Sequence, residues 1–316
     1  MSQTEKVIFQ QFPYWLPVLS SVGGERLQPR HTVILGCGTS YNLSLSLAAA
    51  YNAAGHSAQA VPANEWLRRR HDYAVGDGFQ VVVLSRSGET TEAILAARSA
   101  RAAGDFVMAI TCSKDSEIVS SSERAIVAET HPEEGIVMSV SASLMLIAGL
   151  KLAGISIDAR IEQVGESLLR QMDAESKRVV KRSHFVFLGA GALYGIAAEG
   201  GLKLQEMSQV ISQTYHPLEY RHGPVSLIGD KSAVVLLYSE GTREEESMLA
   251  AELSAKGALV VGLGGPGDIS LPVAVTGASR AIAVLPALQI LGERVAQARG
   301  LDTVSPRFLT KVVNLG

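Results

Sequence analysis

The run Val33-Ile34-Leu35-Gly36-Cys37-Gly38-Thr39-Ser40-Tyr41 comes back 153 positions later as Val186-Phe187-Leu188-Gly189-Ala190-Gly191-Ala192-Leu193-Tyr194. An offset near half of a 316-residue chain implies two similar domains in tandem. In each copy an apolar run of strand length ends in Gly-x-Gly, and a helical pattern follows over 41–54 and 194–211. Further short apolar runs lie at 57–61, 81–84, 106–111 and 125–128 in the first half, and at 233–238, 258–263 and 272–275 in the second. Helical patterns such as 90–103 and 244–256 separate several of them. Alternating strands and helices predict an α/β protein in which each domain is a parallel sheet covered by helices on both faces.

An apolar content of 47% is enough to fill two cores of this size. The most apolar helical stretch, 139–154, spans 16 residues and contains Ser139, Ser141, Ser143 and Lys151, so it is expected to be a buried core helix and not a membrane span. Residues 158–182 carry Ile161, Val164, Leu168 and Met172 at helical spacing among charges, as a helix leading into the second domain would. With 28 basic and 31 acidic residues and no long charged block, nothing marks a nucleic-acid or membrane partner. The two cysteines and the start MSQTEKVIFQQF, which lacks a signal-peptide core, place the chain in the cytoplasm.

In doubly wound sheets, ligands sit outside the carboxyl ends of the strands. At that place in the first half stands Ser85-Arg86-Ser87-Gly88-Glu89-Thr90. Three hydroxyls, a guanidinium and a glycine at a helix N-terminus are the ingredients of a phosphate site. A single Ser or Thr there would be read as a helix cap. The second half is an internal control: its loop Ser239-Glu240-Gly241-Thr242 has an acid near the place of Arg86, and Thr39-Ser40 becomes Ala192-Leu193. One anion pocket per chain is expected, built from Thr39, Ser40, Ser85, Arg86, Ser87 and Thr90. A nicotinamide cofactor is not expected, because Tyr41 replaces the third glycine of the dinucleotide fingerprint and residues 57–61 carry no acid for a ribose. The seven histidines form no ligand-spaced cluster, so neither a metal nor any other cofactor is implied.

Glu199, Lys203 and Glu206 fall on one helical face at i, i+4 and i+7. On an arbitrary helix they would be a solvated row of charges. Here Gly200, Gly201, Leu202 and Leu204 surround them, which points to burial, and burial raises a carboxyl pKa towards the range of a general base. Downstream, His222 stands before Gly223-Pro224 in a loop between helix and strand, where a lone histidine is either a surface residue or a site residue.

Together these motifs resemble the SIS (sugar isomerase) superfamily, specifically the isomerase half of glucosamine-6-phosphate synthase and the stand-alone amino-sugar-phosphate isomerases and deaminases. The resemblance rests on Cys37-Gly38-Thr39-Ser40-Tyr41-Asn42, the 85–90 loop, Glu199 to Glu206, Arg221-His222-Gly223-Pro224 and Pro306-Arg307-Phe308-Leu309-Thr310-Lys311, in order over about 30–313. It implies two flavodoxin-like SIS domains, at 30–157 and 158–302 (the latter including the linking helix), after an N-terminal helical segment 1–29 and before a tail 303–316 that closes the site. By the same resemblance, the phosphosugar is held by Ser40, Ser85, Ser87 and Thr90; Cys37, Gly38, Thr39, Arg86, Ser139, Ser141 and Glu199 are expected to line the same site. Glu206 is the base between C1 and C2, with Lys203 one turn before it. His222 opens the sugar ring from across a homodimer interface, and Lys311 is the tail lysine able to form a Schiff base.

Three departures shape the expected activity. No glutaminase domain or nucleophilic N-terminal cysteine precedes residue 1, so glutamine-driven synthesis is not expected of this chain. Arg86 stands where the synthase has Gln, and Met138-Ser139-Val140-Ser141 follows the family's sugar-contacting motif only loosely. The expectation is a phosphosugar aldose–ketose isomerase, foremost an amino-sugar-6-phosphate deaminase that releases ammonia, with plain isomerisation left open because both use the same proton transfer. The alternative is a non-catalytic phosphosugar sensor, which needs the hydroxyl loop but has no use for Glu206, His222 and Lys311 together.

Overall fold

The structure is a computed structural model and describes residues 1–21, 24–73, 76 and 78–313. Residues 22–23 of the N-terminal segment and 314–316 of the tail lie outside the described residues. The chain divides into two compact units: an amino-terminal one of residues 11–157 with 310–316, and a carboxy-terminal one of 158–309 with 1–10.

Among the described residues of the amino-terminal unit, β1 (Thr32–Gly36), β2 (Ala58–Pro62), β3 (Gln80–Ser85), β4 (Phe106–Thr111) and β5 (Arg124–Val127) form a parallel sheet in the order β2-β1-β3-β4-β5. In the carboxy-terminal unit, β6 (His184–Gly189), β7 (Ser212–Tyr215), β8 (Ser232–Leu237), β9 (Leu259–Leu263) and β10 (Ile269–Leu271) run β10-β9-β8-β6-β7. Read from its other edge, the second sheet has the same flavodoxin-like order as the first, all pairs parallel. The central strands are buried at every position and apolar at most of them, because both faces are covered.

Helices α1 (Gln3–Phe9) and α2 (Trp15–Ser21) precede the first sheet, and α1 belongs to the carboxy-terminal unit. It is tied there by Ser2 Oγ donating to Glu293 at 2.6 Å and by a 2.7 Å ion pair between Arg294 and Glu5. That guanidinium holds the Glu5 carboxyl down at about 2. Around the first sheet, α3 (Thr39–Ala53), α4 (Ala63–Tyr73), α5 (Thr91–Ala102), α6 (Glu117–Ser120) and α7 (Val140–Leu152) supply the cover. Val33, Leu35, Val81 and Val83 point to Trp66 of α4 and Ala96 of α5, while the alternate residues face α3, with α7 packed against α3 and β4. Each such Val or Leu, fully buried, contributes about 1.5–3 kcal/mol. The 139–154 stretch is indeed core: nearly every residue of α7 is buried, and Ser143 Oγ donates to Gln11 Oε1 at 2.7 Å. In the other unit, α8 (Ile161–Val179), α9 (Ala192–Ser208), α10 (Arg243–Ala255) and α11 (Ser279–Ala298) play the same part, with α11 packed against α8 and α9. Among the described residues no helix is long and apolar enough to cross a membrane.

The repeat extends to the backbone. Gly38 and Gly191 both have φ of 55°, with ψ of −124° and −131°, a conformation open to glycine. A side chain on Gly36 would collide with the main chain of Ser40, and one on Gly189 with that of Leu193. Gly-x-Gly is therefore a strand-to-helix turn in both halves, which is why it stands here without a dinucleotide fingerprint.

Two expectations need correction. The helical pattern at 194–211 stops at Ser208, because Gln209 turns to φ 53° and Ser212–Tyr215 leaves as edge strand β7. The last strand is Ile269–Leu271, not 272–275: Pro272 has no N–H to give a parallel ladder.

Candidate active site

The amino-terminal unit places its hydroxyl-rich segments at the topological switch point. Strands β1 and β3 are neighbours, Leu35 opposite Val83, so the turn 37–38 and the loop 86–90 emerge side by side at their carboxyl ends. From there α3 and α5 start, and both helix N-termini bring partial positive charge to the same edge. Thr39 and Ser40 form the first turn of α3. Thr90 is the N-cap residue of α5, yet its side chain makes no capping hydrogen bond, so capping does not account for that hydroxyl. Ser85 Oγ accepts from Gly88 N at 3.2 Å, and Ser87 Oγ accepts from Glu89 N at 3.1 Å. Each hydroxyl then still carries a hydrogen to donate.

Gly88 has φ 68°, and a side chain on it would run into Ser116 and Ile118. Its close approach is thus to the start of α6, where Ile118 N donates to Gly88 O at 3.0 Å. Cys37 is half-buried, its thiol pushed up to about 11 by burial and by Glu92, so it stays protonated at neutral pH. Gly38 is exposed at the turn.

Arg86 is buried and directs its fork away from open solvent. Its Nη1 donates to Gly135 O at 3.0 Å and its Nη2 to Lys311 O at 3.3 Å. Lys311 in turn donates from Nζ to Glu134 O at 3.2 Å. Sequence reasoning passed over Glu134. Its buried Oε1 accepts from the main-chain N–H groups of Ser139 and Ser141 at 2.7 and 3.0 Å and from their hydroxyls at 3.2 and 3.0 Å, while Oε2 accepts from Thr130 at 2.8 Å. A carboxylate at the N-terminus of buried α7 satisfies donors that the core would otherwise strand. The hydroxyls of Ser139 and Ser141 therefore donate to Glu134. The signal in the sequence was an acid a few residues ahead of Ser-x-Ser at a helix start.

In the carboxy-terminal unit, Glu199, Lys203 and Glu206 of α9 do share one face, and it is not a solvated one. The Lys203 side chain is 1% exposed and that of Glu199 0%, with Nζ 3.2 Å from Glu199 Oε1; Nζ also donates to Glu206 Oε2. Gly200 and Gly201 allow this burial, since a side chain on Gly200 would strike Phe187 and Leu288. Burial works against the Lys203 charge, but the two carboxylates outweigh it and hold the ammonium above the ordinary lysine range. Glu206, with its side chain 22% exposed, is the member of the three that reaches solvent. Its carboxylate is paired with an ammonium and is not isolated in an apolar pocket. His222 is exposed between two short 3-10 turns, Glu219–Arg221 and Pro224–Leu227.

The second unit's own loop after β8 is occupied from within. Ser239 N and Oγ donate to Glu246 at 2.7 and 2.9 Å, and Thr242 Oγ1 donates at 2.9 Å. Glu240, the acid singled out in the sequence, instead accepts from Gly277 N at 3.1 Å. An internal carboxylate from α10 thus takes the donors that a phosphate would need. Among the described residues no group of three or more His, Cys, Asp and Glu side chains comes together to hold a metal ion.

Two doubly wound parallel units with one hydroxyl-lined switch point define the class, and the comparisons agree. The SIS domain family matches residues 27–152 and 179–269, and the chain belongs to that family. It is 24% identical over 296 residues to a glutamine–fructose-6-phosphate aminotransferase (isomerizing) of Sulfurisphaera tokodaii, covering 90% of this chain and 50% of that protein. The enzyme of the same name from Clostridium perfringens is 29% identical over 280 residues, covering 78% of this chain and 46% of the relative. The chain therefore spans about half the length of these curated relatives. A solved glucosamine-6-phosphate deaminase from Thermotoga maritima superposes with a TM-score of 0.89 at 28% identity, over 99% of this chain and 100% of that one. Tagatose-6-phosphate ketose/aldose isomerase of Escherichia coli shares the fold, with a TM-score of 0.82 at 22% identity, 95% of this chain and 93% of that one.

Proposed function

We propose that the chain is a phosphosugar aldose–ketose isomerase acting on a 2-amino-sugar 6-phosphate such as glucosamine-6-phosphate, with ketose phosphate and ammonia as products. The observation that carries this reading is the buried Glu199–Lys203–Glu206 cluster, because a protein that only senses a phosphosugar has no use for a carboxylate held against an ammonium at a solvent-reaching end. Likeness to the Thermotoga maritima deaminase over the full length of both chains supports the amino-sugar substrate.

In this reading the hydroxyls of Ser40, Ser85, Ser87 and Thr90, with the α3 and α5 N-termini, hold the phosphate. His222 carries the proton that opens the ring, from the partner copy of a homodimer. Glu206 removes the C2 proton of the open 2-amino aldose and returns it to C1, while O1 takes up a proton and the C2 amine gives one up, which leaves a hydroxymethyl group at C1 and an imine at C2. Water adds to that imine and ammonia departs, giving the ketose phosphate. Lys203 and Glu199 keep the Glu206 carboxylate in place, and the Lys311 amine serves the C2 carbonyl end. Cys37 and Cys112 are free thiols, in keeping with a reducing cytoplasmic setting.

The test offers the purified protein glucosamine-6-phosphate, galactosamine-6-phosphate and unaminated hexose phosphates while ketose and ammonia are measured together. Ammonia is expected in step with ketose on an amino sugar. Ketose without ammonia on every substrate would reduce the activity to plain isomerisation, and binding without turnover would make the chain a sensor.

A further inference from the structure

Arg86 is the cationic side chain of the hydroxyl loop, and the proposed reaction leaves it without a task of its own. It sits at the end of β3, 8% exposed, between two segments far from it in sequence. Its planar fork spans Gly135 O at 3.0 Å and Lys311 O at 3.3 Å. A further contact closes a ring, since Lys311 Nζ donates to the carbonyl of Glu134, the neighbour of Gly135, at 3.2 Å, and the Glu134 carboxylate is itself locked onto the start of α7. A last tie is the Val313 carbonyl, which accepts from Thr91 N, the first residue of α5, at 3.5 Å. Among the described residues of this end of the tail, Lys311 is exposed, Val313 is 54% exposed and only Val312 is half-buried, so the polar ties carry much of what fixes its position.

We propose that Arg86 is a positioning residue that latches the carboxy-terminal tail to the hydroxyl loop and thereby sets the place of Lys311. An arginine can do this because its fork donates to two carbonyls at once. A glutamine at this position is shorter and uncharged, and a lysine offers a point charge where the fork gives two fixed directions. The catalytic consequence rests on the isomerase reading; the latch itself does not.

Limited trypsin digestion of the full chain tests the latch without any appeal to activity. Cleavage after Lys311 is compared with cleavage after Arg30, an exposed residue of the same unit just ahead of β1, at the amino ends of the strands and so opposite the hydroxyl loop. In Arg86→Gln and Arg86→Ala, cleavage after Lys311 is expected to rise about tenfold, as loss of a hydrogen bond from a charged donor would give, with no change after Arg30. Arg86→Lys should fall between, and it carries the comparison if the smaller side chains leave too large a void for folding. Equal rates at Lys311 in wild type and variants would overturn the proposal, and so would equal acceleration at both sites, which would mean a general loosening. With an amino-sugar phosphate as substrate, the variants should lose kcat with KM nearly unchanged, because Lys311 serves the carbonyl end and not the phosphate. A wild type without turnover would defeat the isomerase reading while the cleavage ratio still decided the latch.

Discussion

Glu206→Gln is expected to reduce turnover of glucosamine-6-phosphate by about 10²–10⁴-fold, the range that a positioned proton carrier supplies. Affinity for the same sugar should change by less than about threefold, under 1 kcal/mol. The substitution keeps the shape of the side chain and leaves an amide oxygen that can still accept from Lys203, while Lys203 keeps Glu199 as a charged partner. What disappears is the carboxylate able to take a proton from carbon. Affinity is spared because the phosphate is assigned to Ser85, Ser87 and Thr90 in the other unit. Single-turnover assays and calorimetric titration on one preparation separate the two quantities. Undiminished turnover would remove Glu206 from the reaction, and a matching collapse of affinity would mean that the division of labour between the units is wrong.

Lys203→Met is expected to cost about 3–5 kcal/mol of stability, the usual penalty for taking one partner out of a buried ion pair. The Glu199 side chain is 0% exposed, and the substitution leaves two carboxylates on one helical face without the ammonium that joins them. For a unit of this size that corresponds to a drop in melting temperature on the order of 10 °C. Replacing Glu199 by Leu in the same chain should recover part of the loss, since an apolar pair in place of a buried ionic one is often tolerated. The sign of the pH dependence follows from the raised Lys203. Its contribution is fully present below the ordinary lysine value of 10.5 and is lost as pH rises through the higher folded value. Urea denaturation at neutral pH checks the magnitude; a loss below about 1 kcal/mol, the scale of an exposed pair, would show that the cluster is not a buried one.

Much of the architecture is legible because it is repeated. The copy at Val186 to Tyr194 reproduces the turn geometry as well as the residues, and the central strands are long apolar runs with both faces covered. The errors fall on edges. Ser212–Tyr215 is half-buried at every position and has no apolar run to mark it, so a helix pattern reads straight through to it. Ile269–Leu271 is only three residues long.

At the candidate site, the helical spacing of Glu199, Lys203 and Glu206 was enough to put them together, whereas their pairing in the core depends on Gly200 meeting Phe187 and Leu288. The reach of Arg86 to Lys311 crosses 225 positions, and no local pattern carries that. In the control loop the donors of Ser239 and Thr242 are taken by Glu246, which arrives from the first turns of the next helix, whereas Glu240, the acid that the sequence pointed to, accepts from Gly277.

If the hydroxyls at the β1–β3 switch point grip an anionic sugar, a crystal of the Glu206→Gln protein grown with glucosamine-6-phosphate will show it. Phosphate density is expected within hydrogen-bonding distance of the hydroxyls of Ser85, Ser87 and Thr90. Phosphate on the loop 239–242, or a bound sugar whose phosphate touches none of those three hydroxyls, would contradict it.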